Sequence, residues 1–273
     1  MIVLQAIFLG IVQGLTEMLP ISSSAHLTLL PWLLGWESPL LNSLFFDVAL
    51  HFGTLGALIF YFYDDLWDMT RCWGPGKETS ARRENRRLGL LFVITTIPGA
   101  LAGFFLEDKA TGLFRDPVRV AVCLIVFGLL MVAADILRPQ FRDMTRFRPL
   151  QALFVGCCQA LAIMPGVSRS GSTLTALRLL GFRRPDAARL SFLMAMPLLA
   201  GASILQGRHL LHGIPAPEIA PFVAGIVASA ISSYLVIKYF MRFLRSHTLL
   251  GFGVYRLAFA ALVLVVAAFR AHP

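Results

Sequence analysis

Gly10-Ile-Val-Gln-Gly-Leu-Thr-Glu-Met-Leu-Pro-Ile-Ser-Ser-Ser-Ala-His26 is the stretch whose reading decides the fold. It begins as an apolar helix. Gln13 and Glu17 then fall four residues apart and share one helical face. Pro20 ends or kinks that helix, and Ser22, Ser23, Ser24 and His26 follow at once. A carboxylate, a helix breaker and a hydroxyl cluster inside an apolar run do not make a lipid-facing span. Such groups are tolerated at membrane depth only where protein or a water-filled cavity surrounds them. The stretch therefore reads as half of a site, and residues 165–173 read as the other half.

The rest of the chain supports a membrane setting. Of 273 residues, 57% are hydrophobic and only 14% charged, and mean hydropathy is +0.74. A soluble chain carries about a quarter charged residues. The net charge of +9 would point to nucleic acid in a soluble protein. Here the basic residues sit in short loops between apolar runs, which is topology signalling instead, so no nucleic-acid partner is expected. No basic region precedes the first apolar run, so that run is expected to be kept rather than cleaved. Cys72, Cys123, Cys157 and Cys158 have no metal-site spacing and read as small hydrophobes.

Apolar segments long enough to span recur at about 45–63, 90–106, 118–137, 187–205, 219–240 and 249–269. Regions 2–40 and 150–180 are apolar but broken by Pro, Gly and Ser, and read as hairpins of half-helices. The chain also repeats itself. Shifted by 146 residues, Gly10 meets Gly156, Gln13 meets Gln159, Leu15 meets Leu161, Met18 meets Met164, Ser22 meets Ser168, and Ser24 meets Ser170. Each half, about 1–140 and 147–273, then holds one broken hairpin and three spans. An odd number of spans inverts the second half relative to the first, and inverted repeats place a site where their broken helices meet. The expected fold is an all-α integral membrane protein, an inverted-topology repeat with six transmembrane helices and two re-entrant helical hairpins.

Orientation follows from Lys and Arg. Seventeen fall on the side opposite the termini. Five fall on the side of the termini, namely Lys109, Arg115, Arg119, Arg208 and Arg270. The positive-inside rule makes the richer side cytoplasmic, with both termini outside. The charged segment 71–87, with its Gly-Pro-Gly, reads as a cytoplasmic loop with at most a short surface helix.

The second half-site is Pro165-Gly-Val-Ser-Arg-Ser-Gly-Ser-Thr173. Pro and Gly break the helix, and the serines suit the start of a new one. Free N–H groups at a helix start bind phosphate, and Arg169 adds a planar fork suited to phosphate oxygens. The blander reading of Arg169 is an ion pair with Glu17. Glu17 itself could act as general base or as ligand to a hard cation, Mg²⁺ or Ca²⁺, with the Gln13 amide oxygen beside it. Ser23 and His26 lie three apart, hence on one face of a helix. Serine could attack phosphorus with histidine as base, histidine could attack directly, or the serines could simply cap the second half-helix. Asp47 and His51 fall at i and i+4 in the first span and could line the same cavity. Arg256 reads as an interfacial residue or a partner behind the site. Asp135 reads as solvated near the cytoplasmic edge, and His209 and His212 as solvated outside.

With these residues in view, the chain resembles the undecaprenyl-diphosphate phosphatase family of bacitracin-resistance type. The resemblance rests on Gln13-x-x-x-Glu17, on Leu-Pro-Ile-Ser-Ser-Ser-Ala-His26, and on Pro165-Gly-Val-Ser-Arg-Ser-Gly-Ser-Thr173, and it covers essentially the whole chain. It implies an integral-membrane enzyme that removes the terminal phosphate of undecaprenyl diphosphate, a lipid carrier of cell-wall synthesis. It also implies the inverted-repeat fold, a divalent cation, the bacterial cytoplasmic (inner) membrane, and a site reached from the periplasm. Carried over by motif position, Glu17, Ser23, His26 and Arg169 are catalytic. Ser22, Ser168, Arg169, Ser170 and Thr173 bind phosphate, and Glu17 with Gln13 would hold the metal. Gln13 stands where many members have Glu, which removes one carboxylate, and Ala25 stands where glycine is common. The partners implied are a polyprenyl diphosphate lipid and the bilayer, with room for a homodimer.

Two rivals differ in kind. Broken helices in inverted repeats also build transporters, so the chain could move the prenyl phosphate lipid between leaflets. The type-2 phosphatidic acid phosphatase class also combines serine, histidine and Ser-Arg elements. It needs a further histidine soon after its Ser-Arg, and none occurs here between Arg169 and His209.

Overall fold

Helix breaks and small residues place the elements. The computed structural model describes residues 1–111, 113–207 and 215–271. Arg208, His209 and His212 lie outside them, as does the side chain of Lys109. The described residues form eleven α-helices: α1 Ile2–Met18, α2 Ser23–Leu34, α3 Leu44–Tyr61, α4 Tyr63–Arg71, α5 Ser80–Thr111, α6 Pro117–Leu137, α7 Pro149–Ala160, α8 Arg169–Leu179, α9 Arg184–Gly207, α10 Ala216–Phe243 and α11 Leu250–Ala271. Six are long and apolar enough to cross a membrane, within α3, α5, α6, α9, α10 and α11. These are the six spans expected from the apolar runs. The second begins earlier, because the charged residues after Ser80 continue the helix. Phe104, Leu150, Ile204 and Phe269 are each more than 70% exposed, as side chains of a membrane protein facing lipid are.

The shorter apolar helices pair into two hairpins, α1–α2 and α7–α8, which break in the same way. After α1 the chain turns extended at Leu19, and Ser22 takes φ 73°. After α7 a single tight turn, Leu161–Ile163, leads through Pro165 and Gly166 to Ser168 at φ 72°. Ser22 and Ser168 are the non-glycine residues with positive φ among those described, and they are 146 apart. Each caps the next helix: Ser22 Oγ accepts from Ala25 N–H at 3.3 Å, and Ser168 Oγ accepts from Gly171 N–H at 3.0 Å. A side-chain cap of this kind is worth about 1 kcal/mol. The φ these serines adopt is one L-residues usually avoid, so the tips hold them by their surroundings.

The packing repeats too. α1 lies along α10 and α7 along α5. At the first crossing a Cβ on Gly10 would strike the Gly225 carbonyl, and at the second a Cβ on Gly156 would come within 2.8 Å of the Thr95 carbonyl. Glycine at both repeat-related positions permits backbone-to-backbone approach, as in other membrane helix pairs. α3 packs on α9 and α6 on α11, joining the halves. One apolar core, around Met18, Phe62, Phe147, Phe182 and Phe192, lies among helices of both halves.

Asp135 departs from the expectation of a solvated side chain. It is 2% exposed and accepts from Arg178 and Arg184, each at 2.8 Å, and from Leu249 N–H at 2.9 Å. Arg178, counted from the sequence among the loop charges, is fully buried. Two cations and an amide surround one carboxylate, so the group is paired rather than hydrated.

Gly166 is the position least able to change. Its φ is 96°, and a Cβ there would stand 2.5 Å from the Val120 carbonyl. Gly166→Ala is expected to cost about 1–3 kcal/mol, read as a lower unfolding temperature of the detergent-solubilised protein. An unchanged unfolding temperature would show that the tip is not clamped as described.

Candidate active site

The two tips meet and lock together. Gly166 N–H donates to Ser22 Oγ at 3.0 Å, and Ser170 O–H donates to the Leu19 carbonyl at 3.0 Å. Arg169, from the first turn of α8, donates to Glu17 Oε1 at 2.8 Å. A third element completes the junction. Arg256 of α11 is fully buried, and its guanidinium donates to carbonyls only. These are Gly166 at 2.6 Å, Leu124 at 3.2 Å, Pro20 and Val167 at 3.3 Å, and Cys123 at 3.4 Å. Both breaks thus hand their free carbonyls to one side chain. Sequence placed Arg256 at an interface or behind the site; the structure places it at the centre of the tips. Its charge also adds to the positive ends of α2 and α8, which favours an anion nearby.

Beside the junction lies a cavity of about 240 Å³. Glu17, Ser23, Ser24, His51, Gln159, Ser168, Arg169 and Ser170 supply its polar wall. Glu17, 5% exposed, is its centre. Its Oε2 accepts a short hydrogen bond from the Ser23 hydroxyl and a longer one, 3.3 Å, from Gln13 Nε2. His51 Nε2 lies 3.3 Å from the same oxygen. Arg169 is steadied by donating to the Ser191 carbonyl at 3.2 Å. Thr173 Oγ1 lies 2.6 Å from Ser191 Oγ and 2.9 Å from the Arg169 carbonyl, so Thr173 braces Arg169 from behind rather than lining the cavity.

Two more expected residues sit elsewhere. Ser22 is buried at the tip and spends its oxygen on Ala25 and Gly166 N–H groups. His26 is turned from the cavity toward α11. Its Nδ1 lies 2.7 Å from the Ser22 carbonyl and its Nε2 lies 2.7 Å from the Tyr255 hydroxyl. Its ring stacks on Phe259, centroids 4.5 Å apart. A carbonyl only accepts, so Nδ1 carries the proton and Nε2 accepts from Tyr255. Both nitrogens are thereby engaged. Ser23 and Glu17, by contrast, face each other and the cavity.

Two further residues join the site. His51 comes from α3, where the i, i+4 pair with Asp47 was the available signal. Gln159 is 2% exposed, its Oε1 has no partner among the described residues, and its Nε2 donates to the Thr95 carbonyl at 3.3 Å. The signal for Gln159 was the 146-residue shift that matches it with Gln13, whose Oε1 is likewise buried without a partner.

Comparison with known proteins covers nearly the full chain. The profile of the family described as bacitracin resistance protein BacA matches residues 6–262. The chain belongs to that family. A relative from Gemmatimonas aurantiaca is 44% identical over 273 residues, 99% of this chain and 100% of its own. Relatives from Pelobacter propionicus and Geobacter sulfurreducens are each 45% identical, over 257 and 264 residues, and cover 93% and 96% of this chain, and 93% and 97% of their own. All three are named undecaprenyl-diphosphatase. Membership of the BacA family spans both hairpins and therefore both half-sites.

Arg256 gives the sharpest test of the junction. Arg256→Lys keeps a charge but replaces five planar donors with a compact ammonium, and carbonyls of the tips lose their partners. It is expected to cost on the order of 3 kcal/mol and to lower the detergent unfolding temperature accordingly. Retention of the wild-type unfolding temperature would show that the carbonyls have other partners.

Proposed function

We propose that this protein is a multi-pass membrane phosphatase that removes the terminal phosphate of undecaprenyl diphosphate, leaving undecaprenyl phosphate and inorganic phosphate. The observation that carries the reading is the Ser23 hydroxyl seated on Glu17, with Arg169 on the other oxygen of the same carboxylate, in one cavity. A role in moving lipid alone would need an anion site but not a serine on a carboxylate. Hydrolysis returns the lipid carrier of cell-wall synthesis to use, which accords with the family's description as bacitracin resistance.

The chemistry follows from the side chains present. Ser23 Oγ attacks the terminal phosphorus and passes its proton to Glu17. The phosphorus–oxygen bond of the anhydride breaks, and undecaprenyl phosphate leaves. Glu17 gives that proton to the departing undecaprenyl phosphate and is a carboxylate again when water cleaves the phosphoserine; water's proton passes through Glu17 to the Ser23 oxygen, and phosphate is freed. Arg169 and the unpaired N–H groups in the first turns of α2 and α8 stabilise charge on the transferring phosphoryl group, the largest contribution in such reactions. His26 holds the start of α2 against α11.

The cavity continues into an apolar groove of about 430 Å³ between α3, α5 and α9, with Val48, Gly99, Gly103 and Ala202 common to both. A prenyl tail lies there while the diphosphate reaches Ser23. The oxygen donors present suit a divalent cation, Mg²⁺ or Ca²⁺. Gln13 Oε1 is buried without a partner, and Glu17 lies one turn on. These two would hold the ion with diphosphate oxygens, where it would offset phosphate charge. Among the described residues no three His, Cys, Asp or Glu side chains form a ready metal cluster, so the substrate supplies the other ligands. The Lys and Arg distribution supports the cytoplasmic (inner) membrane with both termini periplasmic, the hairpins entering from opposite faces, and the site opening to the periplasm. The cavity is built within one chain, which is compatible with a homodimer.

The deciding experiment is phosphate release from undecaprenyl diphosphate by purified protein, with and without chelator. Release that chelator suppresses is the expected result, and no release would sink the reading. Arg169→Ala is expected to lower kcat/KM about 10²–10³-fold, and Thr173→Ala less. Near-normal turnover by Arg169→Ala would remove it from the site. For the groove, Gly201→Leu enters open space, since a Cβ there meets nothing within 4 Å. It is expected to lower kcat/KM about tenfold for the long prenyl substrate and little for a short-chain diphosphate. An equal effect on both would place the tail elsewhere.

A further inference from the structure

One titratable side chain of the polar wall has no part in the reaction as just described. His51 brings an imidazole to the cavity from α3, and its side chain is 20% exposed against 5% for Glu17. The ring is not free to turn. Its Nδ1 lies 2.7 Å from the Asp47 carbonyl one turn earlier, so Nδ1 carries a proton and Nε2 is aimed at the Glu17 carboxylate. A carboxylate oxygen only accepts, so Nε2 meets it as a donor, and with both nitrogens protonated the ring is an imidazolium paired with Glu17. The anchor is itself anchored, because the Asp47 carboxylate is paired with Arg115 from the segment before α6.

The other donors to Glu17 do different work. Arg169 holds Oε1. Gln13 reaches Oε2, but from the same helix as Glu17, and it moves with that helix. Ser23 is the group to be aligned. Among the described residues, only His51 reaches Oε2 from an element outside the two hairpins. We propose that His51 is a positioning residue for the phosphoryl transfer, holding Oε2 of Glu17 by a fixed N–H so that the carboxylate keeps its face on the Ser23 hydroxyl. This rests on the reading that Ser23 attacks and Glu17 receives its proton. The role requires a donor at Nε2 and no exchange of protons by the ring.

That requirement separates two substitutions. His51→Gln keeps an N–H donor of similar reach without the charge, whereas His51→Leu removes both. With undecaprenyl diphosphate as substrate, His51→Leu is expected to lower kcat about 10–100-fold while KM changes less than about threefold, and His51→Gln to stay within about threefold of wild type in both. Should leucine perturb folding, His51→Asn replaces it. Its amide is one methylene shorter and is expected to fall as leucine does. In a Ser23→Ala background, where no hydroxyl remains to be aligned, His51→Leu is expected to leave the residual rate unchanged. An unimpaired His51→Leu, a His51→Gln as slow as His51→Leu, or an equal loss in the Ser23→Ala background would each overturn the proposal. Wild-type protein that releases no phosphate would sink the underlying reading instead.

Discussion

A helix broken inside an apolar layer frees carbonyls that lipid cannot satisfy. This constraint governs the molecule, and Arg256 answers it. Two breaks occur, at Leu19–Ser22 and at Met164–Ser168, and the guanidinium of one residue collects carbonyls from both. A buried cation without a carboxylate is costly, and here the carbonyl dipoles of two tips and of α6 offset that cost. Because the same side chain serves both tips, the tips cannot be placed independently. Every distance in the site inherits that coupling.

The coupling explains why the two half-sites can divide their labour. The repeat makes the hairpins alike in backbone: a serine of positive φ, a side-chain cap three residues on, and a hydroxyl neighbour at 3.3 Å. It does not make them alike in chemistry. The first hairpin carries Glu17 and Ser23, the second Arg169 and Ser168. An acid–hydroxyl pair facing a guanidinium can bind a phosphate and also react with it. Two copies of either half could do only one of these.

His26 and His51 show where local reasoning reaches its limit. Ser23 and His26 share a helical face by spacing, and α2 forms over both. Its first turn nevertheless points Ser23 at Glu17 and His26 at Tyr255 and Phe259. Three residues turn through about 300° on a helix of 3.6 residues per turn, which leaves the two side chains about 60° apart, enough for them to meet different partners. His51 reaches Glu17 across 34 residues of sequence, and no spacing rule foretells such a meeting. Asp135 is similar. Its place near a helix end suggested water, but Arg178 and Arg184 close over it, because the turn between α8 and α9 folds back onto α6.

By itself the sequence determined the number and approximate position of the spans, the two interrupted hairpins, the 146-residue repeat and the residue types of the site. These are properties of local order: apolar length, helix breakers, and polar groups too costly to leave facing lipid. The tertiary structure alone decided which of those polar groups meet. It put Ser23 rather than His26 on Glu17, brought His51 and Gln159 into the wall, and sent Arg256 to the tips. The reason is geometric. Helical period states which residues share a face, but only the packing of small-residue crossings such as Gly10 on α10 and Gly156 on α5 sets which faces confront one another.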